Sequence, residues 1–545
     1  MEQLKPKLFS VMKTYSKEQF VKDLIAGVIV AIIALPLSIA LALASGVTPE
    51  KGLYTAIIAG FVISFLGGSR VQISGPTAAF ATIVAGIVAT NGMDGLILAT
   101  ILAGIFLIIM GLCHFGNLIR FIPYTITTGF TTGIAVTIVI GQLKDFMGLT
   151  FQNSPVETME KLHEVISCIG TLNWQALAVG IFSLAILIIW PKINARIPAS
   201  LIAVIAASAL VALLPVQVNT IGSLYEISSA LPRFSFPAIT FGSVRAVLPD
   251  AFTIAILAAI ESLLSCVVAD SMIGDRHNSN MELVAQGAGN IFSGLFGGIP
   301  ATGAIARTAA NIKNGGRSPI AGMVHAVVLL LILVVLMPYA ALIPMPTIAA
   351  ILFMVAYNMS EWRKFLSLVK TAPKSDILVL LVTFFLTVIF DLVLAIEVGI
   401  VITAFLFMKR MSDVTNVSEW TYPEDSETTR QNLKAVPKNT QVYEITGPMF
   451  FAAADKLLAV AGNSNTKIII LRMRSVPAMD ATALNSLTNV YKVCQKKNTK
   501  LIFSHVNPQP MSVMKKAGFD KLAGKENFCA NIDEALERAK KLQEK

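Results

Sequence analysis

Two stretches of this chain carry residue types that suit a small anion without a cluster of fixed charges. The first is Ser74-Gly75-Pro76-Thr77-Ala78-Ala79-Phe80. The second is Gly297-Gly298-Ile299-Pro300-Ala301-Thr302-Gly303-Ala304-Ile305-Ala306-Arg307. In each, Gly and Pro interrupt an apolar run, and a short helix is expected directly behind the break. Proline in the first helical turn needs no amide partner. The N–H groups left open at such a helix start, with the positive end of its dipole, favour negative charge. Two such ends facing each other would seat an anion on the amides of Thr77–Ala79 and Gly303–Ile305. The alternative is a pair of ordinary kinks in packed helices, although both breaks precede truncated segments.

Arg307 falls about one turn into the second short helix. At membrane depth an arginine costs at least about 2.5–3.5 kcal/mol on insertion scales, so it needs a partner or a task. The task would be to complement the bound anion. The alternative is a structural pair with an acidic residue such as Glu261. Glu261 stands between Ala258-Ala259-Ile260 and Ser262-Leu263-Leu264, and is expected to be the carboxylate deepest in an apolar helix. Charge there is costly unless a cation is near, which is what a proton-coupling or cation-binding group requires. Ser265 lies one turn on, on the same face. Glu261, Ser265 and the backbone of Gly303 are therefore the candidate site for a coupling H+ or Na+.

The remaining polar residues suggest no other chemistry. There is no phosphate-binding loop of the G-x-x-x-x-G-K-[ST] type, and no Ser, His and Asp spacing that would make an enzyme. The five cysteines share no disulfide or zinc spacing, so no metal centre and no cofactor is expected. Asp270, Asp275, Arg276 and His277 read as a solvated loop, and Asp391 and Glu397 as interfacial charges.

The elements that would hold these residues are membrane helices. Hydrophobic residues make up 55% of the chain and charged ones only 14%, against about 25% charged in soluble domains. Apolar segments recur from Val21 onward. They are expected at 22–44, 51–67, 76–90, 94–112, 119–143, 174–190, 197–214, 246–269, 281–296, 302–313, 318–337, 340–357, 374–391 and 392–408. Spanning a hydrocarbon layer of about 30 Å needs about 20 residues, so 76–90 and 302–313 are too short. Broken segments at matching places in a series point to a transporter site near the midplane. Thirteen Lys and Arg fall in loops on the N-terminal side of the membrane and five on the other, which puts both termini inside. The net charge of +10 is thus a topology signal, and no nucleic-acid partner is implied.

The expected division is a cytoplasmic segment 1–21, a membrane region 22–410, a linker 411–438 and a soluble region 439–545. In that last region, β-rich runs at Val442–Ile445, Lys467–Arg472 and Lys500–Ser504 alternate with helices near Ala452–Val460, Ala481–Val493 and Pro510–Lys516 and a tail Ile532–Gln543. The pattern predicts a small α/β domain.

The run Asp23-Leu24-Ile25-Ala26-Gly27, then Gly52-Leu53-Tyr54, Gly67-Gly68-Ser69-Arg70, Ser74-Gly75-Pro76-Thr77-Ala78, the Glu261–Asp270 helix and the Ala304–Asn311 stretch resemble the sulfate permease (SulP) anion transporters. Residues 440–545 resemble that family's C-terminal STAS domain. The resemblance implies an α-helical polytopic protein of 14 segments in 7+7 inverted repeats. Segments 1–4 and 8–11 would form a core, and 5–7 and 12–14 a gate. It also implies an elevator-like core movement, a homodimer, and a place in the bacterial inner membrane among lipid. Anion binding between segments three and ten is implied as well. Where sulfate-carrying members have a Pro-Gln-x-x-x-Tyr-like stretch, Pro36-Leu37-Ser38-Ile39-Ala40-Leu41 has Leu twice. That resembles members carrying C4-dicarboxylates such as succinate or fumarate. Asp480-Ala481-Thr482-Ala483 has Ala at the phosphorylatable serine of the STAS motif, leaving Thr482 and a docking role for a cytoplasmic partner. The competing expectations are an uncoupled channel-like pathway and an anion sensor signalling through the STAS domain.

Overall fold

The structure, a computed structural model, describes residues 4–117, 123–153, 155, 157–194, 197–237, 239–390, 392–419, 436–450 and 466–544. The chain forms two compact units, Met1–Ile400 and Val401–Lys545.

The first unit is helical. Its long elements are α1 (Lys17–Ala44), α2 (Pro49–Leu66), α3 (Ala81–Leu112), α4 (Tyr124–Met147), α5 (Trp174–Ile193), α6 (Ala199–Leu213), α7 (Phe241–Ile273) and α8 (Ser279–Leu295). Then come α9 (Ile305–Lys313), α10 (Ile320–Leu336), α11 (Met345–Ser360), α12 (Lys374–Ile389) and α13 (Leu392–Val414), the last running on into the second unit. Among the described residues, seven helices are long and apolar enough to cross a membrane. Gly92, at φ 68°, interrupts α3, so the third and fourth expected segments meet at that residue. A left-handed backbone suits glycine, which has no Cβ to clash.

Capping fixes the helix ends. Ser16 accepts the Gln19 N–H at the start of α1, five residues before the expected boundary. Asn173 caps α5 through the N–H groups of Gln175 and Ala176, and Asn278 caps α8 through that of Met281. α4 and α7 stop at the left-handed residues Gly148 and Gly274. The short helices not foreseen include Thr158–Ser167 and Trp362–Thr371. Both are too polar on one face to register as apolar segments.

The helices sort into two groups by what they touch. α1, α2 and α3 interlock with α7, α8, α9 and α10, forming the core group. α4 and α5 pack on α11, with α12 against α4, forming the gate group. α3 and α8 approach each other closely. A Cβ on Gly104 would lie 2.6 Å from the Gly287 carbonyl oxygen, and one on Gly287 2.5 Å from that of Gly104. Gly111 repeats the contact about two turns away, where a Cβ would lie 2.7 Å from the Asn280 carbonyl oxygen, so glycines let these two backbones meet.

Among the described residues of the second unit, five strands form one sheet in the order β3-β4-β5-β6-β7. β3 (Asn416–Glu419) runs antiparallel to β4 (Thr440–Thr446); β5 (Ile468–Ser475), β6 (Lys500–Ser504) and β7 (Phe528–Cys529) continue parallel. Ile469, Leu471 and Phe503 face one core with Leu487 of α14 (Ala481–Lys496). Ile468, Ile470 and Ile502 face another with Ala535, Leu536 and Ala539 of the tail helix. Both faces are covered, so β5 reads as a continuous apolar run. The stretch expected as linker from 411 begins instead with the end of α13 and the edge strand β3. The expected helix Ala452–Val460 lies outside the described residues.

Candidate functional site

Both broken stretches enter short strands that cross in the core. β1 (Ser74–Gly75) pairs antiparallel with β2 (Thr302–Gly303), Ser74 opposite Gly303 and Gly75 opposite Thr302. Behind each strand a helix begins: a 3₁₀ turn Ala78–Phe80 leading into α3, and α9. Their cap residues, Thr77 and Ala304, place no side-chain oxygen on the first turn. Nine residues of α9 rise only about 13 Å, less than half a bilayer core.

α7 holds β2 in register. The Ser262 hydroxyl lies 2.7 Å from that of Thr302 and accepts the Gly303 N–H at 3.0 Å, and Thr302 donates to the Ala258 carbonyl at 3.1 Å. The Ala304 N–H donates to the Ile73 carbonyl at 2.9 Å, and the Ile73 N–H to the Thr308 hydroxyl at 3.0 Å. The amides of Gly303 and Ala304 are therefore committed inside the protein, which corrects the expectation that Gly303–Ile305 all face a ligand. On the second half the open turn starts at Ile305. Ile305 and Ala306 are exposed, while Thr77 is half-buried and Ala78, Ala79 and Phe80 are buried.

Arg307 joins the two breaks. It is 3% exposed, and its Nη2 donates to the Pro76 carbonyl. Its Nη1 is buried with no hydrogen-bond partner among the described residues. A Cβ on Gly75 would sit 2.8 Å from that nitrogen, so the absent side chain is the space the guanidinium occupies. Arg307 makes no ion pair with Glu261 among the described residues.

Glu261 is half-buried and accepts the Thr77 hydroxyl at 3.0 Å through Oε2. It thus touches the first half-helix rather than the second. Ser265 is fully buried and reaches Thr308, at 3.5 Å. Glu261, Ser265 and Gly303 each engage a different partner, so no direct contact joins the three.

Three expectations change here. Glu261 is not the deepest carboxylate, because Asp23 and Glu282 are fully buried. Asp23 accepts the Tyr15 hydroxyl at 2.7 Å and the Arg317 N–H at 2.8 Å, since flanking loops fold over the start of α1. The loop expected to be solvated is tied down: His277 Nδ1 lies 2.7 Å from Asp270 and its Nε2 3.0 Å from Ser279, and Asp275 pairs with Arg70 at 2.9 Å. Asp391 lies outside the described residues. Sequence reasoning missed Glu282, Gln72 and Gln286. For Glu282 and Gln286 the signal was a polar residue at successive turns of an otherwise apolar helix; Gln72 lies in the loop before β1 and carried no such signal.

The chain is similar to known proteins in family, sequence and fold. The sulfate permease family matches residues 20–383 and the STAS domain residues 433–535. The candidate sulfate transporter YvdB of Bacillus subtilis is 40% identical over 527 residues, 96% of this chain and 98% of its own. The bicarbonate transporter BicA of Picosynechococcus sp. is 30% identical over 542 residues, 95% of this chain and 94% of its own. Among solved structures, the transmembrane domain of a cyanobacterial BicA superposes with a TM-score of 0.63 at 31% identity, over 71% of this chain and 98% of that one. The murine anion transporter Slc26a9 gives 0.87 at 19% identity, over 98% of this chain and 93% of that one, and shows the fold. The chain is a membrane-embedded anion transporter and belongs to the sulfate permease family, with a C-terminal STAS domain.

Proposed function

We propose that the chain is a secondary active transporter that seats one small inorganic anion between the starts of α3 and α9. The amides of Thr77–Ala79 and of Ile305 onward would meet it, with Arg307 supplying positive charge. The observation that carries this reading is the buried Nη1 of Arg307, without a partner among the described residues and beside Gly75. A buried charged donor left unpaired is costly, and an anion there would satisfy it.

Glu261 is the candidate coupling group. Among the described residues one donor, the Thr77 hydroxyl, is found on its carboxylate, which leaves the other oxygen for a proton or Na+. The same hydroxyl belongs to the cap residue of the first half-helix, so loading Glu261 would bear directly on the anion seat. Both half-helices belong to the core group and neither to the gate group. Movement of the core against the gate would therefore carry the whole seat, as an elevator does.

Bicarbonate and sulfate come first as cargo, because two of the relatives are named for them. A second reading, a C4-dicarboxylate such as succinate, draws on Leu37 and Leu41 of α1, which offer no polar group. The count of basic loop residues supports cytoplasmic termini in a bacterial plasma membrane, and we carry a homodimer and a cytoplasmic STAS partner as part of the same reading. Uptake of labelled bicarbonate, sulfate and succinate into proteoliposomes under imposed pH and Na+ gradients tests it. Accumulation of one anion driven by one gradient is expected; equilibration alone, insensitive to either gradient, would replace the transporter with a channel.

A further inference from the structure

α8 carries Glu282, Gln286, Asn290 and Ser293 at intervals of about one turn, and all four are fully buried. Glu282 bonds to the approach to the first broken stretch, and the other three to the two stretches themselves. Glu282 Oε2 accepts the N–H groups of Gly68 at 2.9 Å and Ser69 at 3.2 Å. Its Oε1 accepts the side-chain amides of Gln72 at 2.8 Å and Gln286 at 2.9 Å. Gln286 also donates to the Ser74 hydroxyl at 3.0 Å, on β1. Asn290 clasps Ala301 from both sides, accepting its N–H and donating to its carbonyl, each at 2.9 Å. Ser293 donates to the Ile299 carbonyl at 2.7 Å.

Gln72 closes the set. Its Oε1 accepts the Cys266 thiol of α7 at 2.9 Å. Its amide also fills the space beside Gly303, where a Cβ would come within 2.4 Å. One helix face thus grips residues just before β1, β1 itself, and the approach to β2.

We infer that α8 is the template that registers the two breaks against each other, with Glu282 as a positioning residue for the anion seat; this rests on the seat proposed above. The donor count argues for a fixed charge. A carboxylate accepts four hydrogen bonds and donates none, and four donors surround Glu282. A protonated carboxyl would turn an O–H toward one of them. Glu282 thereby differs from Glu261, whose carboxylate meets a single donor among the described residues. Bonds to a charged acceptor are roughly twice as strong as neutral ones, which suits a joint that must keep its shape while the core moves.

The test uses the full chain in two assays: hydrogen exchange in detergent, and labelled bicarbonate and sulfate uptake in proteoliposomes. Glu282→Gln, and separately Gln286→Met, which spares the other three donors to Glu282, are compared with wild type. Expected is about tenfold faster exchange in the peptides covering 68–78 and 299–304, with α4 and α11 unchanged. The uptake KM should rise about tenfold while Vmax stays within about twofold, as expected when a seat is displaced but its chemistry is kept. Unchanged exchange in both variants would overturn the template. If Arg307→Gln raises KM while these variants leave it unchanged, the template falls and the anion seat stands. If the exchange rates change but Arg307→Gln leaves KM alone, the seat falls and the template stands.

Discussion

Arg307, on α9, donates through Nη2 to the carbonyl of Pro76, at the entrance to the opposite half-helix. Its second terminal nitrogen is buried beside Gly75 and meets no partner among the described residues. One guanidinium therefore spans both breaks, with the two N–H donors of Nη1 in reserve. Leaving a charged buried donor unpaired costs about 1–3 kcal/mol or more, which a bound oxyanion would recover.

The first prediction concerns the charge itself. Arg307→Gln should raise the KM for uptake at least about tenfold, because a charge-assisted contact is lost. Arg307→Lys should rescue little, since an ammonium cannot hold Pro76 and an anion in the same fork. The melting temperature without anion should fall only modestly, the loss being the Pro76 bond, worth about 1–3 kcal/mol. Uptake kinetics and thermal melts in detergent check both parts.

Gly75→Ala tests the space. The new Cβ would stand 2.8 Å from Nη1, forcing the guanidinium aside. KM should rise about tenfold with the fold retained. Gly86→Ala on α3, whose Cβ would meet nothing within 4 Å, should leave KM unchanged and is the control.

Glu261→Gln tests coupling. Glutamine keeps an oxygen for the Thr77 hydroxyl but can take up neither a proton nor Na+ as a carboxylate does. Anion binding, measured by thermal shift with bicarbonate or sulfate, should persist. The dependence of uptake on pH or Na+ should disappear. Unchanged gradient dependence would remove Glu261 from the mechanism.

Deleting residues 438–545 separates transport from sensing. The first unit has its own contacts and the second its own two cores. Uptake should remain measurable in the truncated protein. Complete loss of flux, with the membrane unit still folded by size-exclusion and melting, would favour a signalling role.

The membrane architecture was legible because apolar runs of bilayer length have few alternatives. The two Gly/Pro breaks also stood out, since each precedes a truncated segment at a matching place in the series. The commitments of individual amides were not legible: the Gly303 N–H goes to Ser262, forty-one positions away, and the Ala304 N–H to Ile73. Only tertiary structure brings those atoms together. Glu282 escaped notice because, behind the cap Asn278, it reads as an ordinary first-turn acid. Its spacing to Gln286 and Asn290 could have exposed it, had polar residues been sought at helical intervals inside an apolar segment. The edge strand β3 was missed for another reason: a four-residue strand at a sheet margin has too little pattern to separate from a linker.

The most direct test of the anion seat is a structure determined with selenate as a heavy oxyanion, located by anomalous scattering. The account predicts one selenium peak within hydrogen-bonding distance, through its oxygens, of Arg307 Nη1 and of first-turn amides of both α9 and the Ala78–Phe80 turn. A transport-competent protein that binds selenate elsewhere, with Arg307 Nη1 still unpartnered, would contradict it.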